Sequence, residues 1–223
     1  MTFLIIAWRN ILRRSRQSLI LLLAISSGIF TLIVYFAMVD GFLTLMTDTL
    51  INNGLGHIQI HHKNYLLEND VKLIINNPEL IISKLQKTPG ISGISPRVIC
   101  QGLISSPDSS NFANVYGIDP ALESSIVNLR KRLIKGEMVT NNDTNKIVIG
   151  SALADKLKVG IGDKIVVMNR DTSGDLNGTA LKVKGLFKTT SKEYEKTIAY
   201  VSVGTARKMA GLSNAIHEIA IKN

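Results

Sequence analysis

The residues nearest to a metal-ligand pattern in this 223-residue sequence are His57, His61 and His62. A zinc site needs three or four donors within about 2 Å of one ion. Between His57 and His62, Ile58 and Ile60 alternate with polar neighbours, which is the periodicity of a strand. On a strand His57 and His61 share a face but stand roughly 13 Å apart, too far for one coordination sphere. No neighbouring Glu completes a zincin pattern, so the three read as surface or hairpin histidines and no metal is expected. Val159-Gly160-Ile161-Gly162-Asp163 is glycine-rich. It lies between a short helix and a strand, and reads as a turn opening a β-hairpin rather than as a phosphate cradle. The chain contains no G-x-x-x-x-G-K-[ST] loop for ATP. No serine sits in a G-x-S-x-G elbow. Cys100 is the only cysteine, which excludes an intramolecular disulfide. The sequence thus nominates no nucleophile, acid or base and no cofactor, and the expected protein is not itself an enzyme.

The elements that carry these residues are organised by a membrane. Arg9, Arg13, Arg14 and Arg16 precede a run from Gln17 to Val39 without a charge. At about 1.5 Å per residue this run crosses a hydrocarbon core of roughly 30 Å. The run exceeds the 7–15 residue core of a cleaved signal, and no good A-x-A site follows. The arginines place the N-terminus in the cytoplasm and the bulk of the chain outside it. Residues 1–17 read as a cytoplasmic amphipathic helix, with Leu4, Trp8, Ile11 and Leu12 on one face and Arg9, Arg13 and Arg16 on the other. Trp8, Arg9, Arg13 and Arg14 are assigned to the lipid interface and to topology. Within the span, Ala24 and Gly28, and Ser27 and Thr31, are four apart, a spacing that lets another helix approach.

The helical pattern continues past Asp40, so residues 18–53 read as a transmembrane helix and stalk ending at Asn53-Gly54. Such a helix is on the order of 50 Å long and stands roughly 20 Å proud of the hydrocarbon. Phe42, Leu45, Met46 and Leu50 continue an apolar stripe opposite Asp40, Thr44, Thr47 and Asp48. Met38, Phe42, Leu45 and Met46 are the candidate contact with a partner stalk or an acyl chain, since flexible Met and Phe suit a variable apolar ligand. Burial against the chain's own domain is the alternative.

Beyond the stalk, short β-rich segments alternate with short helices, which indicates an α+β domain. Strands are expected at Ile91 to Ser105, Asn111 to Ile118, Lys146 to Gly150, Lys164 to Asn169, Thr179 to Phe187, Thr197 to Val203 and His217 to Lys222. Helices are expected at Pro78 to Lys87, from Asp119-Pro120 to Ile126, at Ser151 to Leu157 with Ser151 as its cap, and at Thr205 to Ala210. The net charge of +9 is scattered among mixed signs, and aromatic residues are 5% of the chain. Neither a basic stripe nor stacking rings mark a nucleic-acid surface.

Several of these stretches resemble one family in order along nearly the whole chain. Ile6-Ala7-Trp8-Arg9-Asn10-Ile11-Leu12-Arg13-Arg14, followed by an apolar span and by Asp40-Gly41-Phe42, resembles the opening of ABC-transporter permeases of the MacB/FtsX superfamily. Gly56-His57-Ile58-Gln59-Ile60-His61 is similar to the first exported strand of its lipoprotein-releasing LolC/LolE-like branch. Pro89-Gly90-Ile91, Ser95-Pro96-Arg97, Val115-Tyr116-Gly117-Ile118-Asp119-Pro120, Ile149-Gly150 with Gly162-Asp163, and His217-Glu218-Ile219-Ala220 continue the likeness. The resemblance implies a two-lobed, MacB-like periplasmic core: a membrane-proximal α/β lobe from 54–120 and 196–223, and an inserted β-rich lobe from 121–195. It implies an inner-membrane permease subunit, or its N-terminal fragment, driven by a partner ABC ATPase subunit. Its further partners would be a second permease, identical or paralogous, membrane lipids, and a lipoprotein or amphiphilic substrate, with no nucleic acid. The rival reading is a single-pass sensor or scaffold whose exported domain binds a ligand or protein.

Overall fold

The computed structural model describes Ile6, Trp8, Arg9 and residues 13–50, 58–65 and 70–222, with backbone alone at 47–50. The chain divides into two compact units, Met1–Thr49 and Leu50–Asn223. The first is dominated by helix α1, Ser15–Leu50. Its 36 residues give a length of about 54 Å. No proline interrupts it, and its hydroxyls turn back on the helix: Ser27 donates to the Ala24 carbonyl at 2.9 Å, Thr31 to Ser27 at 2.8 Å and Thr44 to Asp40 at 3.0 Å. A polar side chain is thereby satisfied without water. The expected Asn53-Gly54 stop lies outside the described residues, as do Leu4, Ile11 and Leu12 of the amphipathic segment.

The second unit contains, in order, β1 (Ile58–His61), α2 (Pro78–Gln86), β2 (Gly93–Ser105), β3 (Ser110–Ile118), α3 (Pro120–Ile126), a 3-10 turn (Leu129–Arg132) and β4 (Leu133–Gly136). There follow β5 (Lys146–Gly150), α4 (Ser151–Leu157), β6 (Lys164–Arg170), β7 (Leu176–Phe187), α5 (Lys192–Thr197), β8 (Ile198–Ser202), α6 (Val203–Ala210) and β9 (Glu218–Lys222). Strand pairing closes a ring: β2 pairs β3, β3 pairs β8, β8 pairs β5, β5 pairs β7, β7 pairs β6, and β6 returns to β2. The domain is therefore an α+β fold around a small mixed barrel. The β3–β8 and β5–β7 pairs are parallel, the others antiparallel. Within the 121–195 segment, β6 is hydrogen-bonded to β2 and β5 to β8 of the flanking segments.

Strand β2 serves two sheets. Its first part, Gly93–Arg97, pairs with β9, which in turn pairs with β1. Its second part enters the barrel, in register with β3 from Val98↔Gly117 onward. The interior follows from alternation along the strands: Ile165 and Val167 of β6 point in while Val166 and Met168 point out. Strands β5 and β8 are buried on both faces, so they read as continuous apolar runs. Ile147, Ile149, Ala199 and Val201 enter the barrel core. Val148, Ile198 and Tyr200 enter a second cluster with Phe187 and Ile126. A side chain at Gly117 would overlap Ala206, so this glycine lets α6 lie directly on β3.

Local capping explains several boundaries. Asp119 accepts from the Ala121 and Leu122 amides ahead of α3, whose first residue is Pro120. Ser202 accepts from the Thr205 amide, and Gly211 at φ 69° ends α6. The expected Ser151 cap is not formed. Gly150 occupies that position, and the Ser151 hydroxyl instead donates to Glu195 Oε2 at 2.8 Å. The 160–163 segment is a turn: Asp163 accepts from the Gly160 amide at 2.7 Å, and Gly162 has φ 95°.

Candidate functional site

Two sets of residues stand out, one on each unit. On α1, Met38, Phe42, Leu45 and Met46 are exposed within the chain, from 48% at Met46 to 75% at Met38. Their spacing of i, i+4, i+7 and i+8 sets them on one helical face. Ala24, Ser27, Gly28 and Thr31 are exposed as well, and a Cβ on Gly28 would meet nothing within 4 Å. Trp8, Arg9, Arg13 and Arg14 are also exposed. The Ser27 and Thr31 hydroxyls are already satisfied within the helix. What α1 presents is apolar shape.

The domain presents the reverse, charge without exposure. Cross-strand register places His61, Glu218 and Arg97 in one row over β1, β9 and β2. Arg97 is 3% exposed. Its Nη1 donates to Glu218 Oε1 at 2.8 Å, its Nε donates to Glu123 Oε2 at 3.0 Å, and its Nη2 donates to Glu123 Oε1. Ser95 Oγ donates to Glu123 Oε2 at 2.7 Å. The guanidinium also lies 6.0 Å from the centroid of the Tyr116 ring. Burial works to lower the Arg97 proton affinity, but Glu123 and then Glu218 more than offset it and leave it raised. Burial raises Glu218 above the usual carboxylate range against the opposing pull of Arg97.

His217, next to Glu218, has no exposed surface. Its Nδ1 accepts from the Ile99 amide at 3.1 Å and its Nε2 lies 3.0 Å from the Val71 carbonyl. This pairing fixes the neutral tautomer with its proton on Nε2, and burial lowers its proton affinity. The His61 side chain is 9% exposed. Its ring stacks on Tyr65 with centroids 4.8 Å apart and planes at 3°. Nε2 lies 3.2 Å from Gln59 Oε1 and 3.9 Å from Glu218 Oε2. Nδ1 is buried with no hydrogen-bond partner among the described residues. His61 is thus an inward-facing group, not the surface histidine expected. It faces in because β1 pairs with β9 in the register that sets it opposite Glu218. His62 is exposed, and His57 lies outside the described residues.

No group of three or more His, Cys, Asp or Glu is arranged to hold a metal among the described residues. Cys100 is buried, donates weakly to the Ala206 carbonyl at 3.5 Å, and has its thiol pushed up to about 12 by burial. Such a thiol is a packing group rather than a nucleophile. The sequence motifs contained Arg97, His217 and Glu218 but gave them no role. Glu123 carried no signal beyond its place in a short helix.

An apolar helix long enough to cross a bilayer, followed by an α+β domain with a barrel core, defines a membrane-anchored protein with an extracytoplasmic domain. Residues 18–222 match the MacB-like periplasmic core domain, and the chain belongs to that family. It is 25% identical over 182 residues to the lipoprotein-releasing system transmembrane protein LolE of Haemophilus influenzae. That match takes in 76% of this chain and 41% of LolE, so the chain spans about two-fifths of that relative's length. Among solved structures, the fold is similar to the extracellular domain of the noncanonic ABC-type transporter YknZ from Gram-positive bacteria. The TM-score is 0.52 at 15% identity, covering 74% of this chain and 81% of that one. The periplasmic region of MacB from Actinobacillus actinomycetemcomitans overlaps 63% of this chain and 61% of its own at 17% identity, with a TM-score of 0.46.

Proposed function

We propose that this chain is a permease subunit, or the N-terminal part of one, of an ABC transporter that moves substrate on the outer side of the membrane. Its ATPase is a partner subunit in the cytoplasm, and a second permease, identical or paralogous, supplies the opposing stalk. Lipoprotein release is the leading task, supported by the likeness to LolE over 182 residues. The observation that carries the reading is the family match from residue 18 to 222, which joins the apolar helix and the domain in one unit of descent. The exposed stripe Met38, Phe42, Leu45 and Met46, which starts at the end of the uncharged run and continues past it, supports it, because such an apolar face needs a partner to cover it. In this reading 121–195 is an insertion between the two halves of a membrane-proximal lobe, and the four N-terminal arginines fix orientation.

The test is Phe42→Asp with Met46→Asp, co-expressed with its ATPase and partner permease. Lipoprotein captured by the complex should fall at least tenfold while membrane insertion and domain folding persist; unchanged capture would refute the assignment of the stripe.

A further inference from the structure

A cleft of about 580 Å³ opens between α4 and β4, within the size range of ligand sites. Val159 and Leu186 form its floor and pack on the barrel core. Ile134 and Ile161 form its lips, 49% and 48% exposed. Two local features set the lips. The register of β4 against β7 shifts between Leu133 and Lys135, so Ile134 is the extra residue of a bulge and is exposed beside Lys135. Gly136, at φ 75°, leaves room for Ile161, whose Cδ1 would stand 3.0 Å from a Cβ there. The far edge of β4 carries no strand among the described residues. Apolar lips beside an open strand edge are a surface that asks for cover.

The charges around the cleft are one-sided. Lys135 and Lys188 line it, Arg130 and Lys131 lie in the turn that leads into β4, and Lys158 joins α4 to Val159. All five are exposed, and none forms an ion pair among the described residues. Asp155 is the one carboxylate that lines the cleft. Glu137, which follows β4, already stands 3.7 Å from Lys184. A second copy would bring the same cations and be repelled. The bulge and Lys135 also resist continuous strand pairing between copies. A bilayer would need apolar side chains standing beyond the cations, whereas the floor of the cleft is recessed. A single anionic group meets one or two of the five cations. A peptide with several carboxylates meets more, and its amides can pair with the open edge of β4.

We propose that the cleft between α4 and β4 docks a short acidic segment of a partner protein, with one bulky apolar side chain seated between Ile134 and Ile161 and carboxylates facing Lys135 and Lys188. The site goes beyond the permease reading and is independent of it, since every residue in it belongs to the domain.

The experiment uses the full chain in nanodiscs of neutral lipid and a display library of random linear peptides. Peptides enriched on the chain should carry an excess of Asp and Glu around at least one Leu, Ile, Met or Phe. Their affinity, read by fluorescence polarisation, should fall at least about tenfold on Lys135→Glu with Lys188→Glu, where two attractions become two repulsions. It should fall as far on Ile134→Glu. It should hold on Lys72→Glu with Lys87→Glu, the same change of charge at exposed positions outside the cleft. No enrichment, enrichment without an acidic excess, or equal binding to the cleft variants would each overturn the site. A cleft variant that alters the mass of the chain by light scattering, or its adhesion to anionic vesicles, with no acidic peptide enriched, would give the cleft to a second copy or to lipid and overturn it too. Lys135 and Lys188 are exposed, so their exchange leaves the core intact, and if Ile134→Glu unfolds the charge reversal decides alone. No transport enters the readout, so failure here leaves the permease reading untouched, and a failed capture assay leaves the cleft untouched.

Discussion

Helix α1 and the β1–β9–β2 row solve opposite problems. The helix carries large apolar side chains on its surface, Phe30, Phe36, Met38 and Phe42 among them. The row hides Arg97, Glu123 and Glu218 from water almost entirely. Each arrangement is costly if taken by itself. Apolar area in water forfeits about 25 cal/mol per Å², and a buried charge forfeits several kcal/mol unless it is paired. The row is reconciled internally, through the two-sided grip of Arg97 on its carboxylates. In the proposed reading the helix is reconciled by its surroundings, lipid along the uncharged run and a partner beyond it. What the chain carries within itself is therefore a complete domain core and an incomplete helix surface.

The largest expected effect tests the internal half. Arg97→Ala strands two carboxylates in the interior and should destabilise the domain by about 3–5 kcal/mol, read by chemical denaturation of the full chain in micelles. Replacing all three charges together with apolar residues of similar volume should recover most of that loss, because the pair is removed rather than broken. A loss in the triple variant as large as in Arg97→Ala would show that the row's geometry, not its charge, is what the fold needs.

A smaller effect is expected at Gly150. A Cβ there would overlap the Glu195 backbone, where α5 crosses the end of β5. Gly150→Ala should cost about 1–3 kcal/mol by the same denaturation, with little change in a Gly178→Ala control, where a Cβ would meet only Val166 Cγ1 at 3.9 Å.

The pH dependence separates the histidine from the carboxylate. His217 has a folded-state affinity below its ordinary 6.5. Its stabilising contribution is complete above about 6.5 and is lost as pH falls below that, since the unfolded chain takes up the proton first. Glu218 is raised above its ordinary 4.5. Its ionised form is penalised at neutral pH, and the penalty is relieved as pH falls through the raised value. Global denaturation midpoints between about pH 7 and about pH 5 should therefore fall less steeply than His217 alone dictates, and more steeply in Glu218→Gln. Equal slopes in the two proteins would contradict this opposition.

How much of this was readable from the chain alone follows from the range of each signal. The span was legible because hydropathy is local: Gln17 to Val39 has no charge, and α1 covers it. Most strands were legible for the same reason, since the apolar runs Lys146–Gly150 and Ile198–Ser202 are short and continuous. The closed ring was not. It depends on the pairing of Gly102–Ser105 with Val166–Asn169, residues far apart in sequence with no local mark of their register. Leu133–Gly136 and Lys192–Thr197 also escaped notice, the first because it is brief, the second because Lys-Glu-Tyr-Glu-Lys-Thr has no apolar period. The buried row is the deepest omission. Arg97 and Glu218 occupy strand positions where a charge ordinarily marks the solvent face, and only the packing of α3 over β2 reverses that meaning. His61 was misread by the same rule.

The account stands on α1 crossing the bilayer with the domain on the far side. The direct measurement is labelling of Ser173→Cys, in a Cys100→Ser background, with a membrane-impermeant maleimide on intact spheroplasts. Ser173 is an exposed residue of the β6–β7 hairpin. The account predicts full labelling without lysis, and a Ser15→Cys control labelled only after lysis. Labelling of Ser173→Cys that requires lysis would contradict it.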